Sequence, residues 1–214
     1  SFNELSFLEL YHGPTMAFKD MALTVLPNLM VTSKKKLNNS KKTLIITATS
    51  GDTGGACLSG FKNNDDTKII VLYPTKGVSA FQEAQMHYYT SNNAYAIAIN
   101  GNFDDCQTLV KKVFTSTQDL TNIELSSANS INISRLLPQS FYYTYASLTV
   151  THRAPRDSKI DDPSIIISVP SGNFGNLTSG LISRKMGAPI TGFIAATNSN
   201  KTIPDWIYSG EYKA

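Results

Sequence analysis

The sequence predicts an α/β fold built on mostly parallel, doubly wound sheets. Short runs rich in Ile and Val alternate along the chain with segments of helical character, and these runs mostly lack polar alternation. Strands that are buried on both faces have this pattern, and a β-α-β-α order favours right-handed crossovers between parallel neighbours. The chain of 214 residues is long enough to bury a core in one large or two smaller domains.

Five segments are predicted as strands and six as helices. The strands are 43–48, 68–73, 94–99, 164–169 and 191–196. The helices lie near 17–31, 54–62, 79–89, 104–116, 133–150 and 177–186, and a further helix is expected just before Glu211. The polar segment 151–163 is predicted to be a linker or long loop.

The composition excludes several classes of protein. With 41% apolar and 16% charged residues, the chain has the balance of a folded protein, and its apolar runs are too short to span a membrane. Two cysteines and three histidines without paired spacing predict neither a disulfide framework nor a metal site, and favour a reducing, cytoplasmic setting. The lysines at 34–36 and 41–42 are interpreted as a solvated loop rather than a nucleic-acid surface, so neither nucleic acid nor membrane is expected as a partner.

Two glycine-rich loops are candidate anion sites, because ligands of open α/β sheets bind where strands end. Residues 48–55 (ATSGDTGG) and 170–176 (PSGNFGN) each join a strand to a helix, whose first N–H groups attract anions. The first loop matches neither a Walker loop nor the dinucleotide fingerprint. The alternative is two tight turns, the first capped by Ser50 or Asp52 and the second by Asn176. Together the two loops could hold two anionic groups.

Two further segments have chemistry-bearing residues. Lys19 is expected in the first turn of a helix, where a cation opposes the helix dipole. A lysine there suits imine chemistry with an aldehyde, and the alternative is an ordinary solvated lysine. In the polar segment 126–135, Arg135 with its Asn and Ser neighbours suits a phosphate or carboxylate, and the alternative is a surface ion pair beside a helix capped by Ser134 or Asn132.

These segments resemble the threonine synthase family of the tryptophan-synthase-β-like, fold type II pyridoxal-phosphate enzymes. The matching motifs occur in family order through nearly the whole chain. They are 12–20 (HGPTMAFKD), 48–54 (ATSGDTG), Tyr73-Pro74 with Gly77, Ser79, Gln82, Gln85 and Met86, then 127–135 (SANSINISR), 168–176 (SVPSGNFGN) and 193–198 (FIAATN). Any one of these motifs is modest evidence, whereas six in order are specific.

The resemblance implies a role for each site residue. Lys19 is similar to the catalytic lysine whose amine binds the aldehyde of pyridoxal 5'-phosphate, and Asp52 lies where relatives place a residue near the 3' oxygen of that cofactor. The phosphate cradle of the cofactor is implied to be Gly172, Asn173, Phe174, Gly175 and Asn176. The groups around the substrate's carboxylate and phosphate are implied to be Ser50, Thr53, Asn129, Ser130 and Arg135, without a division between the two anions.

The resemblance also implies an activity. A carbon-oxygen lyase of this family acting on phosphate converts O-phospho-L-homoserine and water to L-threonine and phosphate, by γ-elimination and β-hydration. The resemblance implies that the substrate's amine displaces Lys19 from the aldehyde of the cofactor. The freed Lys19 serves as general base, and for this its amine must be neutral. The alternatives are another eliminating lyase, such as a threonine or serine dehydratase, or a catalytically silent protein that binds phosphorylated ligands. The chain is expected as a monomer or homodimer.

The resemblance further implies a division of the chain into parts of two domains. Residues 1–42 and 164–214 are expected to belong to a large cofactor-binding domain, 43–150 to a smaller α/β domain, and 151–163 to the linker. Family members are longer at both ends, so the chain is expected to be a central portion that lacks the residue facing the pyridine nitrogen. On its own, this portion is expected to bind the cofactor weakly or not at all, and inactivity is part of the same hypothesis.

Overall fold

The computed structural model describes residues 5–116, 120–130, 132–153 and 165–212. The chain forms two compact units, of which the first ends at Pro138 and the second begins at Gln139. The division into four segments that the resemblance implies stays a prediction.

The first unit contains a four-stranded sheet in which every pair of neighbouring strands is parallel. Its strands are β1 (Lys42–Ala48), β2 (Thr67–Pro74), β3 (Ala94–Ile99) and β4 (Ile123–Ser126), in the spatial order β3-β2-β1-β4. Its helices are α1 (Asp20–Lys36), α2 (Asp52–Phe61), α3 (Ala80–Tyr88), α4 (Phe103–Ser116) and the start of α5 (Ile133–Arg153). The predicted parallel, doubly wound α/β fold is therefore confirmed.

The strand order reverses between β1 and β4. Strands β1, β2 and β3 follow one another in one direction, and the chain then returns to add β4 on the other side of β1. Open parallel sheets bind ligands at such a reversal, in the crevice beyond the carboxyl ends of the strands. The segments that follow β1 and β4 flank this crevice. They contain five of the predicted site residues, of which two lie in the first turn of α2 and three in loops: Asp52 and Thr53, then Ser50, Asn129 and Ser130.

Apolar side chains cover both faces of this sheet. On one face, Ile45 and Ile69 pack in a buried cluster with Leu23 of α1, Phe61 of α2 and Met86 of α3. On the other face, a second buried cluster joins Ile46, Ala48 and Leu72 of the strands to Cys106 and Val110 of α4. Because the central strands β1 and β2 are buried on both sides, their sequences read as continuous apolar runs.

The second unit contains a parallel pair of strands, a helix that connects them and a helix that follows them. Strands β5 (Ile166–Pro170) and β6 (Gly192–Ala196) pair in parallel, with α6 (Gly175–Lys185) between them in the chain and α7 (Thr202–Ser209) after them. The later part of α5 contributes the buried Tyr142 and Tyr143. Gly180 of α6 lies against Phe193 and Tyr143, so that a Cβ at this position would meet the Phe193 ring at 2.6 Å.

Three sequence-based interpretations need correction or completion. Strand β4 was not predicted. It has four residues at the edge of the sheet, and because these residues are exposed or half-buried, their sequence is not a continuous apolar run. Helix α1 begins at Asp20 rather than at residue 17 and extends to Lys36, so Lys34, Lys35 and Lys36 form its last turn rather than a loop. Cations there interact favourably with the helix dipole. The predicted linker begins within α5, and residues 154–163 of it lie outside the described residues.

Candidate active site

The turn before Lys19 is built around the carboxylate of Asp20. This buried carboxylate accepts hydrogen bonds from the backbone N–H of Thr15 at 2.9 Å, from the Thr15 hydroxyl at 2.5 Å and from the Ala17 N–H at 3.5 Å. Gly13 lies so close that a Cβ would sit 2.4 Å from Asp20 Oδ2. These contacts place Lys19 at the N-cap of α1, one residue before the observed first turn, rather than within the first turn as predicted.

Lys19 is largely buried and has one carboxylate partner in the described part of the chain. Its Nζ lies 3.4 Å from Asp52 Oδ2 and 4.3 Å from the centroid of the Phe18 ring, and its side chain is 18% exposed. Burial lowers the pKa of Lys19, the charge and hydrogen bond of Asp52 raise it in part, and the charge of Arg135 lowers it further. The neutral amine is therefore more populated than in an ordinary lysine.

The turn between β1 and α2 is organised by Thr49. The buried Thr49 hydroxyl accepts from the N–H groups of Gly51 and Gly54, each at 2.9 Å, and donates to the Gly51 carbonyl at 3.0 Å. Gly51 is the N-cap of α2 with φ of 145° and has no side chain, and the hydroxyl that bonds the Gly54 N–H is that of Thr49, so neither Ser50 nor Asp52 has the capping role of the alternative interpretation. The Ser50 and Asp52 side chains are exposed and Thr53 is half-buried. The first N–H groups of α2, which have no intrahelical acceptor, remain suited to an anion.

The loop after β4 is bound to β1 and leads to a buried arginine. The Thr47 hydroxyl of β1 donates to Asn129 Oδ1, and the Asn129 N–H donates to Ser127 Oγ at 3.2 Å. Asn132 Oδ1 accepts from the Ser134 N–H at 3.0 Å at the start of α5, as one form of the alternative interpretation expected. Arg135 is buried rather than on the surface, and its Nη1 donates to the Ala128 carbonyl at 2.7 Å.

Arg135 and Lys19 lie in one electrostatic neighbourhood together with the thiol of Cys57. Cys57 is fully buried in α2; burial raises its pKa to about 11, while the charges of Arg135 and Lys19 lower it. The structure thus brings together Lys19, Asp52 and Arg135, from three separate sequence motifs, at the reversal point of the first sheet. Within the described ranges, no group of three or more His, Cys, Asp or Glu side chains could hold a metal ion, and no helix could cross a membrane.

Helix α3 and the residue that follows it supply three side chains that support the site and to which the sequence analysis assigned no role. Gln82 Nε2 donates to Asp52 Oδ1 at 2.7 Å, Gln85 Nε2 donates to the Thr15 carbonyl at 3.2 Å, and the hydroxyl of Tyr89, which follows α3, donates to the Pro14 carbonyl at 2.8 Å. Their spacing of three and four residues places them on one helical face. That spacing, and the Ser79-x-x-Gln82 capping box, could have identified this face as specialised.

In the second unit, residues 172–176, which were predicted as the phosphate cradle, lie in the loop after β5 and the first residues of α6. Phe174 adopts the left-handed conformation (φ 56°, ψ 4°) as the N-cap of α6, and nothing lies within 4 Å of a Cβ built on Gly172. Helix α6 begins at Gly175 without a side-chain cap, so its first N–H groups border an open glycine-rich loop, which fits a phosphate. The loop is anchored at its start by the Ser171 N–H, which donates to the Ala196 carbonyl at 2.8 Å.

Asn176 does not cap α6. Its Oδ1 instead accepts from the hydroxyls of Tyr142 and Tyr143, the latter at 2.8 Å. Burial raises the pKa of both tyrosines, so both remain neutral donors. With its oxygen so engaged, the Asn176 side chain presents its NH₂ group as the remaining polar function.

No family model matches the chain. A crystal structure of threonine synthase from Escherichia coli superimposes with a TM-score of 0.83 at 39% identity, over 99% of this chain and 46% of that one. A pyridoxal-phosphate-bound threonine synthase from Brucella melitensis gives a TM-score of 0.79 at 40% identity, over 96% of this chain and 42% of that one. Diaminopropionate ammonia lyase from Escherichia coli, at 12% identity and a TM-score of 0.68 over 96% of this chain and 53% of that one, shares the fold alone. The fold is thus that of the fold type II pyridoxal-phosphate enzymes.

Within that class, the chain is a homologue of the threonine synthases over nearly its whole length. The threonine synthase of Buchnera aphidicola subsp. Schizaphis graminum is 43% identical over 208 residues, which cover 97% of this chain and 46% of that protein. The threonine synthase of Schizosaccharomyces pombe is 39% identical over 99% of this chain and 41% of that protein. The chain spans less than half the length of these curated relatives.

Proposed function

We propose that the chain belongs to a threonine synthase that uses pyridoxal 5'-phosphate to convert O-phospho-L-homoserine and water to L-threonine and phosphate. The observation on which this depends most is the buried amine of Lys19 beside Asp52 and Arg135, at the reversal point of a fold type II sheet. The homology to threonine synthases supports the same activity. The two buried thiols, Cys57 and Cys106, support a reducing, cytoplasmic setting.

Lys19 and the loop 172–176 are the proposed cofactor-binding groups. The bound cofactor supplies an electron sink that stabilises negative charge developing beside the substrate nitrogen. Lys19 supplies the amine for the cofactor's aldehyde, and the N–H groups of Gly175 and Asn176 supply donors for its phosphate. Asp52 Oδ2 lies 3.4 Å from Lys19 Nζ, so its carboxylate would lie near a cofactor bound at Lys19.

Lys19 is also the proposed general base. Its Nζ must be neutral to accept a proton, and burial favours that form because a charged amine loses its hydration. Asp52 opposes this tendency and stabilises the amine once it has accepted the proton. Burial thus favours the amine that accepts the proton, and Asp52 favours the ammonium that results.

The remaining site residues of the first unit are proposed to bind the substrate's anionic groups. Arg135 offers a buried guanidinium, and the start of α2 offers backbone N–H groups with the hydroxyls of Ser50 and Thr53 beside them. Asn129 and Ser130 flank the same crevice from the β4 side. A substrate with both a carboxylate and a phosphate needs such a set of cation, amide and hydroxyl donors.

Reductive trapping tests the cofactor and its lysine. The purified chain is mixed with pyridoxal phosphate and reduced with borohydride, and the modified peptide is mapped by mass spectrometry. We expect one pyridoxyl phosphate group on Lys19, lost in Lys19→Ala. Lys62→Ala is the matched control, because Lys62 Nζ also lies near an aromatic ring, 5.7 Å from the centroid of Tyr88, without a carboxylate partner in the described structure. Equal labelling of the surface lysines and Lys19 would count against the proposal.

Ligand binding separates the proposed substrate from the substrate of a dehydratase. Arg135→Lys keeps the charge but removes the bidentate geometry, so it should weaken binding of O-phospho-L-homoserine by about tenfold or more. Binding of L-serine, which has no phosphate, should change much less. Calorimetric titration of both ligands on the pyridoxal-phosphate-loaded chain measures the two changes, and equal losses would favour the dehydratase.

A further inference from the structure

The side-chain amide of Gln82 has a fixed orientation. Its Oε1 accepts the Ser79 N–H at 3.0 Å, while the Ser79 hydroxyl accepts the Gln82 N–H at 3.2 Å, which completes a capping box at the start of α3. Because the oxygen is engaged at the cap, the NH₂ group must face the opposite way. It donates to Asp52 Oδ1 at 2.7 Å.

The Asp52 carboxylate depends on this contact for its direction. Its side chain is 49% exposed, and among the described residues Gln82 and Lys19 are the side chains bonded to it. Oδ1 is held by Gln82 at 2.7 Å, so Oδ2 is left facing Lys19 Nζ at 3.4 Å. Without Gln82, an exposed aspartate is free to turn toward water.

The backbone of the first loop leaves room for this amide. Gly51 has a φ of 145°, and a Cβ at that position would lie 2.3 Å from Gln82 Nε2. The same glycine therefore serves two needs: a backbone conformation that side chains disfavour, and a close approach of the Gln82 amide to the turn. Neither the backbone conformation of Gly51 nor the close approach of the Gln82 amide involves a contact with Lys19.

The face of α3 that contains Gln82 also holds the lysine loop. Gln85 and Tyr89 bond to the carbonyl groups of Thr15 and Pro14, which precede Lys19 by four and five residues. Met86, on the same face, is fully buried beneath Gly54 of α2. One helix thus contacts both segments that approach the reactive amine.

We propose that Gln82 is a positioning residue that directs the Asp52 carboxylate at Lys19, with α3 as the rigid element that links the lysine loop to the β1–α2 turn. This inference rests on the proposed role of Lys19. The charged or titratable groups that act on Lys19 are Asp52 and Cys57 of α2 and Arg135 of α5. Of these, Asp52 is the one whose placement Gln82 controls.

The test measures the pKa of Lys19 directly and needs no cofactor. Competitive acetylation of the full chain at a series of pH values, read by mass spectrometry, gives the pKa of each lysine. Gln82→Met removes the donor without adding charge, so Asp52 should turn away and the pKa of Lys19 should fall. We expect Gln82→Met to lower the pKa of Lys19 by at least half as much as Asp52→Asn does. The double variant should have the same pKa as Asp52→Asn alone, because the two residues act through one contact.

Ser79→Ala is the matched control at the same helix start. It removes the hydroxyl cap but keeps the Ser79 N–H that orients the Gln82 amide, so the pKa of Lys19 should stay at the parent value. Gln82→Ala replaces Gln82→Met if circular dichroism shows a disturbed helix. The inference is overturned if Gln82 variants shift the pKa no more than Ser79→Ala, or if their effect adds fully to that of Asp52→Asn.

The result can be separated from that of the proposed function. If the pKa of Lys19 responds to Gln82 but reductive trapping leaves Lys19 unmodified, the positioning is real and the proposed cofactor role of Lys19 in this chain is wrong. If trapping succeeds and the pKa is insensitive to Gln82, the function stands and the positioning role is excluded.

Discussion

Replacing Gly51 by alanine should destabilise the first unit more than any glycine substitution that only strains the backbone. Alanine at a positive φ costs about 1–2 kcal/mol. The new Cβ would also meet Gln82 Nε2 at 2.3 Å, so the amide must move. That movement gives up a hydrogen bond to a carboxylate, about 1.5–3 kcal/mol, and one to the Ser79 N–H, about 0.5–1.5 kcal/mol. Because water partly replaces both bonds, the expected loss in free energy of unfolding is about 3–5 kcal/mol.

Two other glycines separate the contributions to this loss. Gly187 has a φ of 101° with nothing within 4 Å of a built Cβ, so Gly187→Ala should cost only the backbone strain of about 1–2 kcal/mol. Gly172 has equally open surroundings and no positive φ, so Gly172→Ala should change stability by less than about 0.5 kcal/mol.

Urea unfolding followed by circular dichroism measures all three variants. Hydrogen exchange in α2 and α6 assigns each loss to its unit, since Gly51 and Gly187 belong to different units. If Gly51→Ala loses no more than Gly187→Ala, the close approach of Gln82 to the turn is wrong, and the positioning argument loses its steric basis.

Four further substitutions test other parts of the structure. Tyr142→Phe and Tyr143→Phe should each lower the free energy of unfolding by about 1–2 kcal/mol in urea titrations, and fully additive losses would contradict their shared acceptor, Asn176. Burial raises the pKa of Cys57 from 9.0 to about 11, so the unfolded thiol ionises first and the parent chain loses stability as pH rises from 9 to 11. Cys57→Ala should remove about 2 kcal/mol of that alkaline loss, and an unchanged pH dependence would refute the assignment. Asp20→Asn should cost about 2–4 kcal/mol and speed proteolysis within residues 12–19, whereas unchanged cleavage would show that the turn does not depend on this carboxylate.

The parallel sheet could be predicted because its physical cause lies in local sequence. Strands β1 and β2 are covered on both faces, and burial on both faces produces continuous apolar runs such as 69–73. Strand β4 escaped prediction because its edge position leaves Ile123 exposed and its four residues too few for a pattern. Yet β4 creates the reversal of strand order, so the feature that locates the crevice was the least visible in the sequence.

The candidate site could be predicted as a set of motifs but not as an arrangement. Glycine-rich turns and the lysine motif are local patterns, and each lies where the sequence analysis expected it. The contacts that join them have no local signature: Gln82 meets Asp52 across 30 positions, and Thr47 meets Asn129 across 82. The contacts of Asp20 have no local signature either, since its carboxylate accepts from the backbone N–H and the hydroxyl of Thr15, five positions earlier.

The hydrogen-bond lengths around Asp52 suggest how the site can orient Lys19 without immobilising it. Gln82 holds the carboxylate at 2.7 Å, within the normal range, whereas the carboxylate meets the lysine amine at 3.4 Å, beyond that range. A short ion pair would stabilise the charged amine and oppose its use as a nucleophile or base. A firmly held carboxylate at a longer distance supplies direction and charge, while burial keeps the neutral amine accessible. A lysine that must both bind an aldehyde and exchange a proton requires both effects: a directed carboxylate, supplied by Gln82 and Asp52, and burial of its own side chain.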